Sequence, residues 1–244
     1  MTAKQNAKSS PQDKMIARIQ RECLVKKIKR RVIAPKSNPS VSRAPLQSRA
    51  QATMDEILLA AVRILVRDGY EELNTNHIAE EANISVSTLY QYFTDKNAVL
   101  QALIDLQCEQ LVSRFEQGVA DFAGQPLTEA VHNLIDLMFD SYLRKTPLFG
   151  LLRRQIPSSD LTQALDQALE RIEQLWTFAF KIRQIDLGAM DHQKVGFLIT
   201  NMTYGVLDTI QRQPIPDAEE KVLQRATGEM ILSLFDKHTQ RSQS

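Results

Sequence analysis

Residues 75–96 read Thr75-Asn76-His77-Ile78-Ala79-Glu80-Glu81-Ala82-Asn83-Ile84-Ser85-Val86-Ser87-Thr88-Leu89-Tyr90-Gln91-Tyr92-Phe93-Thr94-Asp95-Lys96. Asn74 and Thr75 are both good N-cap types for a helix that carries Ile78 and Ala79 and runs to about Ala82. Asn83 falls at a break, and asparagine is among the few non-glycine residues that tolerate positive φ. Ser85 is placed to cap a further helix through Phe93. Ala79 sits where the two helices cross, with room for nothing larger. Ile78, Ala82, Ile84, Leu89 and Phe93 supply an apolar interior. Two short helices joined by such a turn make a helix-turn-helix, whose second helix enters the DNA major groove by its N-terminal part. Here that part is Ser85-Val86-Ser87-Thr88. Its short side chains let the helix sit deep, Ser and Thr bond base edges or phosphates, and Val86 suits a thymine methyl. Gln91, further along, has the amide that pairs with adenine.

Working outward, Ile57, Ala60, Ala61, Ile64 and Leu65 form an apolar stripe at helical spacing. Gly69 ends that helix, because glycine accepts the left-handed conformation of a C-cap. Asp95 caps a fourth helix that continues far past Leu106. Pro126 and Thr128 open another, carrying Val131, Leu134, Ile135, Met138, Phe139 and Tyr142, and Pro147 interrupts it. Further helices are expected from about Ser159 to Ile185, from an Asp191 cap through Ile210, and from an Asp217 cap through Phe235. No segment reads as a strand and no internal repeat is present. The fold class is therefore all-α: an N-terminal three-helix helix-turn-helix domain plus a C-terminal helical bundle (about nine helices), preceded by a basic arm.

The arm is visible in the charge distribution. Residues 1–50 hold 13 Lys/Arg against 2 Asp/Glu, an excess of 11 positive charges, while residues 51–244 hold 17 against 27, an excess of 10 negative. Residues 13–34 are expected to form a basic amphipathic helix with Ile16, Ile19 and Cys23 on one face. Pro35, Pro39 and Pro45 among Ser and Arg read as an extended linker over 35–49. The arm suits contact with nucleic acid, and a solvated tail is the plainer alternative. The expected division is 1–48 for the arm, 49–97 for the helix-turn-helix domain and 98–239 for a ligand-binding and dimerisation domain.

Other chemistries find no support in the sequence. Cys23 and Cys108 form no Cys-x-x-Cys or Cys/His cluster, so no metal site is expected, and Cys108 reads as a small buried apolar residue. No Gly-x-Ser-x-Gly, phosphate-binding Gly-rich loop or His-Glu-x-x-His occurs, so no catalytic residues, enzyme activity or cofactor are expected. His132 and Asp136 are helix neighbours, a surface pair rather than a ligand set. No run of about 18 apolar residues marks a membrane span, and no apolar core follows the basic N-terminus as in a secretory signal. A cytoplasmic protein without a membrane partner is expected. The rival is a membrane-associated helical protein that uses residues 13–34 as an amphipathic anchor.

The residues Ile57 to Ala61, Asp68-Gly69-Tyr70, Ile78-Ala79 and above all Thr88-Leu89-Tyr90-Gln91-Tyr92-Phe93-Thr94-Asp95-Lys96 resemble the TetR family of bacterial one-component regulators. The match covers roughly residues 50–100. The resemblance implies that Tyr92 and Lys96 contact phosphates, that Thr75 anchors the backbone, and that Asn76, Val86, Ser87, Thr88 and Gln91 face bases or nearby phosphates. Together with Ser85 these make up the expected DNA-binding set. Tyr90 is read as mostly core with its hydroxyl at the surface. Many relatives carry Gly at the position of Asn83 and Gly or Lys around Val86-Ser87. The recognition helix here is uncharged, which shifts phosphate binding to Lys96, the helix termini and the arm.

The resemblance also implies a homodimer on a pseudo-palindromic site and a hydrophobic small-molecule effector. The expected function is a ligand-responsive repressor, with an activator of the same fold as the alternative. Small residues at Gly196, Gly205, Ala226 and Gly228 suggest an interface built from the last two helices. Met138, Phe139, Tyr142, Trp176, Phe180 and Tyr204 are candidates for an apolar pocket, although each taken alone is more often plain core. Arg153-Arg154 is a candidate for an anionic ligand or, more plainly, a solvated face.

Overall fold

The computed structural model describes residues 10–19, 43–144, 148, 150–152, 162–187 and 190–239. Among these residues the chain is helical and contains no strand. It divides into two compact units, Met1–Leu103 and Ile104–Ser244.

In the first unit, α1 spans Pro11–Ile19 and α2 spans Arg43–Arg67. Ser10 and Asp13 cap α1 reciprocally. The Asp13 N–H donates to Ser10 Oγ at 3.0 Å and the Ser10 N–H to Asp13 Oδ2 at 2.9 Å. The backbone bonds and the Ser10 side chain hold the Asp13 carboxyl below the usual carboxylate range. The remainder of the expected basic helix, 20–34, and the linker as far as 42 lie outside the described residues.

The linker reading fails at its C-terminal end. Residues 43–49 are the first two turns of α2, not extended chain. Pro45 stands in the first turn, where its missing N–H removes no helical hydrogen bond. Downstream, Ile57, Ala60, Ala61, Ile64 and Leu65 are fully buried, as their spacing predicts. Gly69 ends the helix at φ 93°, with its N–H on the Ile64 carbonyl at 3.0 Å.

Two short helices follow: α3, Thr75–Glu81, and α4, Val86–Tyr90. Ile78, Ala79, Leu89 and Phe93 are buried between them and α2, while Ala82 and Ile84 are only half-buried. Arg67 ties α2 to α3 through Glu81 at 2.8 Å. Helix α5, Lys96–Asp121, starts after the expected Asp95 cap, whose Oδ1 accepts the Ala98 N–H at 2.9 Å. The division between the units falls within α5.

The second unit continues with α6, Leu127–Phe139, whose buried Val131, Leu134, Ile135 and Met138 repeat at three- and four-residue spacing. A π-helical turn, Asp140–Arg144, follows. Helix α7 spans Thr162–Ile182, α8 His192–Arg212 and α9 Asp217–Thr239. Asp191 caps α8 as expected, accepting the Lys194 N–H at 2.7 Å. Asp217 is instead the first residue of α9; the Glu220 N–H bonds the Pro216 carbonyl at 3.0 Å. Pro147, Phe149, Arg153-Arg154 and Pro157 lie outside the described residues.

Two of the four small residues expected at an interface serve packing within the chain. A Cβ on Gly196 would lie 2.7 Å from Thr177 Oγ1 and 2.9 Å from the Glu173 carbonyl, both on α7. A Cβ on Gly228 would lie 2.6 Å from His132 Nδ1 on α6. Gly205 has nothing within that range. Glycine spacing alone does not say which neighbour approaches closely. Cys108 is buried, and burial pushes its thiol up to about 12, with Asp105 adding to the shift. That inert thiol fits its reading as a small apolar residue.

Candidate nucleic-acid interface

The helix-turn-helix is set by caps at each end of the turn. Asn74 Oδ1 accepts the His77 N–H at 2.9 Å and starts α3. His77 Nδ1 lies 3.0 Å from the Glu72 carbonyl, which fixes the ring against the loop before the helix. Asn83 turns the chain at φ 54°, and the Ile84 N–H returns to the Ala79 carbonyl at 3.0 Å. Ser85 then caps α4, its Oγ accepting the Thr88 N–H at 3.1 Å.

Ser85 Oγ also lies 2.8 Å from Ser87 Oγ and 2.7 Å from Thr88 Oγ1. A hydroxyl donates once and accepts twice, so these three contacts use Ser85 completely. It accepts from the Thr88 N–H and from one neighbouring hydroxyl, and donates to the other. One of Ser87 and Thr88 therefore keeps its proton for an outside acceptor, and both keep lone pairs. Ser85 organises the hydroxyl surface of α4 and has little capacity left for a base of its own.

The other expected residues are distributed around this cluster. Asn76 and Gln91 are exposed, and Thr75, Val86, Thr88, Tyr92 and Lys96 are half-buried. Thr75 Oγ1 lies 3.4 Å from the hydroxyl of Tyr90, which joins the start of α3 to the end of α4. Tyr90 is 53% exposed, so its reading as mostly core is corrected. On so short a helix, Leu89 and Phe93 already fill the buried face.

Lys96 places Nζ 4.7 Å from the centroid of the Tyr70 ring. That is a cation–π distance, and it holds the ammonium beside the start of α5. Sequence reasoning used Tyr70 only as part of a resemblance and missed this supporting role. The signal was an aromatic residue directly after Gly69, in the loop that faces the cap of α5.

The six pocket candidates lie in the second unit. Met138, Phe139, Tyr142, Trp176 and Phe180 are buried, and Tyr204 is half-buried. Trp176 stacks on Phe180 at 5.5 Å between centroids and meets Phe115 at 5.2 Å, while Tyr142 meets Tyr204 edge-on at 6.2 Å. A groove in the first unit, lined by Gln12, Asp13, Ile16, Ala17, Arg63 and Arg67, lies between α1 and α2, far in sequence from these residues. Among the described residues no helix is long and apolar enough to cross a membrane, and no cluster of His, Cys, Asp and Glu is placed to hold a metal.

An exposed, capped α4 beside a buttressed lysine on an all-helical chain defines a DNA-binding transcriptional regulator of the helix-turn-helix class. Residues 57–103 match the family described as bacterial regulatory proteins, tetR family. The chain is 24% identical over 182 residues to the HTH-type transcriptional regulator UidR of Escherichia coli (strain K12), covering 70% of this chain and 87% of that protein. It is 34% identical over 86 residues to the regulator EthR of Mycolicibacterium smegmatis, covering 35% of this chain and 39% of EthR. The fold is shared with a putative TetR-family regulator from Mesorhizobium loti, at TM-score 0.60, 19% identity and coverage of 76% of this chain and 98% of that one. It is also shared with FadR of Bacillus subtilis, solved in complex with stearoyl-CoA, at TM-score 0.52, 19% identity and coverage of 74% and 96%. The family match over the helix-turn-helix, the similar regulators and the shared fold together support a transcriptional regulator of the TetR type.

Proposed function

We infer that this protein is a ligand-responsive repressor that acts in the cytoplasm as a homodimer on a pseudo-palindromic operator. The observation that carries the reading is the α4 surface. Its hydroxyls are pre-ordered by Ser85, and no charged side chain stands between Ser85 and Tyr92. Such a surface reads base edges and relies on cations elsewhere for affinity. In this reading Ser87, Thr88, Val86, Asn76 and Gln91 face bases or adjacent phosphates. Thr75, Tyr92 and Lys96 hold the backbone, and Ser85 orients its neighbours.

The dimer draws support from apolar side chains left exposed on the last two helices: Phe197 and Leu198 on α8, and Val222, Leu223 and Met230 on α9. Val222 and Met230 lie with Ala226 at four-residue spacing, a stripe suited to another helix. Open space at Gly205 leaves room for a close approach on the outer face of α8. A second copy brings a second reading head, which a pseudo-palindrome requires. Ligand responsiveness draws on the aromatic interior of the second unit. A ligand relieves repression only by binding the DNA-incompetent state more tightly. Helix α5 gives it a route, because it carries Lys96 at one end and the core residue Phe115 further along.

Selection of bound fragments from genomic DNA with the purified protein tests the reading. The expected result is enrichment of sites with inverted symmetry, bound by a particle of twice the 27.7 kDa chain mass in light scattering. Recovery of DNA without any shared site, or binding by a monomer to a single half-site, overturns it.

A further inference from the structure

We propose that Trp176, Thr200 and Thr203 form the polar wall of the effector site, and that the effector is an uncharged apolar molecule carrying a carbonyl-type oxygen. The proposal rests on the ligand-responsive reading above and gives it a ligand class. Trp176 and Thr200 are each 1% exposed and Thr203 is 0% exposed, yet among the described residues Trp176 Nε1, Thr200 Oγ1 and Thr203 Oγ1 have no hydrogen-bond partner. Buried polar groups are almost always bonded, so each exception requires an explanation.

The two threonines depart from the habit of their own unit. Thr177, Thr209 and Thr227 each donate the hydroxyl to the carbonyl four residues back, on Glu173, Gly205 and Leu223 at 2.9, 2.8 and 2.7 Å. Thr200 and Thr203 have the same recourse, to Gly196 and Ile199, and do not use it. Their hydroxyls are directed into the protein interior instead. Gly196 fixes which interior that is, because it packs on Glu173 and Thr177 of α7. Residues 200 and 203 follow it by four and seven positions and share its helical face. Thr200 and Thr203 therefore lie on the side of α8 that faces α7, the helix that carries Trp176.

The chemistry of the wall selects the ligand. An indole N–H only donates, so the atom that satisfies Trp176 is an acceptor. The two hydroxyls add donors on the neighbouring helix. No lysine or arginine is buried among the described residues, and the buried acids Asp208 and Glu220 are paired with Arg212 and Arg144. Nothing described in this interior offsets the desolvation of a ligand charge. Phe115 and Phe180 against the indole supply the apolar surroundings. A ketone, ester or lactone oxygen on an apolar skeleton fits these terms. A carboxylate, a phosphate or a plain hydrocarbon does not.

Trp176 is the sole tryptophan of the chain, so its fluorescence reports occupancy directly. The full-length protein is titrated with two matched sets: decan-2-one, decane and decanoate, and 4-phenylbutan-2-one, butylbenzene and 4-phenylbutanoate. At least one ketone is expected to saturate the Trp176 signal with an affinity about tenfold above its hydrocarbon, as one satisfied buried hydrogen bond implies. The double variant Thr200→Val, Thr203→Val is expected to reduce that advantage to the part that Trp176 Nε1 supplies and to bind the hydrocarbon unchanged. It also melts above the parent protein without ligand, because two unsatisfied hydroxyls are gone. Equal binding of ketone and hydrocarbon, or tighter binding of the carboxylate, overturns the proposal and leaves ligand responsiveness standing. If none of the six perturbs Trp176 the proposal also falls, and responsiveness is then decided by operator release in a wider ligand screen.

Discussion

The reading head and the C-terminal unit use their hydroxyl groups in opposite ways. On α4 the hydroxyls of Ser85, Ser87 and Thr88 stand at the surface and are bonded to one another. On α8 the hydroxyls of Thr200 and Thr203 are buried and, among the described residues, bonded to nothing. Water is available to the first group, so its mutual bonds add order more than energy. It is denied to the second, so its open valences weaken the folded state. One region is pre-organised for a partner that arrives from solvent; the other is left incomplete inside the core. The same contrast separates what substitutions do: in the second unit they act on stability, and in the head they act on binding.

The largest effect expected from this contrast is at Phe139, which is fully buried on α6. Phe139→Ala removes a core ring and is expected to lower unfolding free energy by about 3–5 kcal/mol, measured by denaturant titration. Tyr90→Ala, on the exposed end of α4, is expected to change it by less than about 0.5 kcal/mol. Comparable losses at the two sites would break the comparison.

Next in size is Lys96. Lys96→Ala removes the one cation in the DNA-binding set and is expected to weaken operator binding by about tenfold near physiological salt. Each phosphate contact also has a signature in the slope of log K against log salt, and with Lys96 lost from both heads of the dimer the slope is expected to shrink by about 1.8. Mobility shifts at several salt concentrations measure both. An unchanged slope would mean that the Tyr70–Lys96 contact is structural and that the phosphate grip lies elsewhere in the chain.

Ser85 lies between the two regimes, because it is at once a cap and the centre of the hydroxyl cluster. Ser85→Ala is expected to cost about 1 kcal/mol as a lost N-cap. It also releases Ser87 and Thr88, so discrimination among operator variants is expected to relax along with overall affinity. A variant that loses stability and keeps full base discrimination would show that the cluster does not order the reading surface.

These differences also explain what was legible in the sequence. Caps and breakers are local signals, so Asn74, Asn83, Ser85, Asp95 and Asp191 placed their helix ends without knowledge of the fold. Pro45 misled because proline punctuates a chain in two ways. It interrupts a helix interior but is welcome in a first turn, and only the helix start at Arg43 distinguishes these. Gly196 and Gly228 misled for a tertiary reason: the sequence shows that something comes close, and the partner turned out to be Thr177 and His132 of the same chain. Tyr70 was missed because its ring is defined by Lys96, 26 residues away. The unbonded state of Thr200 was beyond any spacing argument, since an identical helical threonine at 209 does bond its own backbone.

Asn83 offers the smallest and most exact test of the local part of this argument. It holds φ 54°, a conformation that costs most L-residues about 1–2 kcal/mol and asparagine less. Asn83→Gly removes that residual strain but gives the unfolded chain more freedom, which offsets about 0.5–1 kcal/mol. The two contributions are close to equal, so the net change in unfolding free energy is expected to stay within about 0.5 kcal/mol. Operator affinity should be unchanged, because the turn geometry that aims α4 is retained. Asn83→Val has no such compensation, since a β-branched side chain at positive φ is a true outlier. It is expected to cost about 2 kcal/mol or more and to weaken operator binding with it. If glycine instead weakened operator binding while stability held, the asparagine side chain would be acting on DNA itself. The turn would then belong to the reading surface rather than to its support.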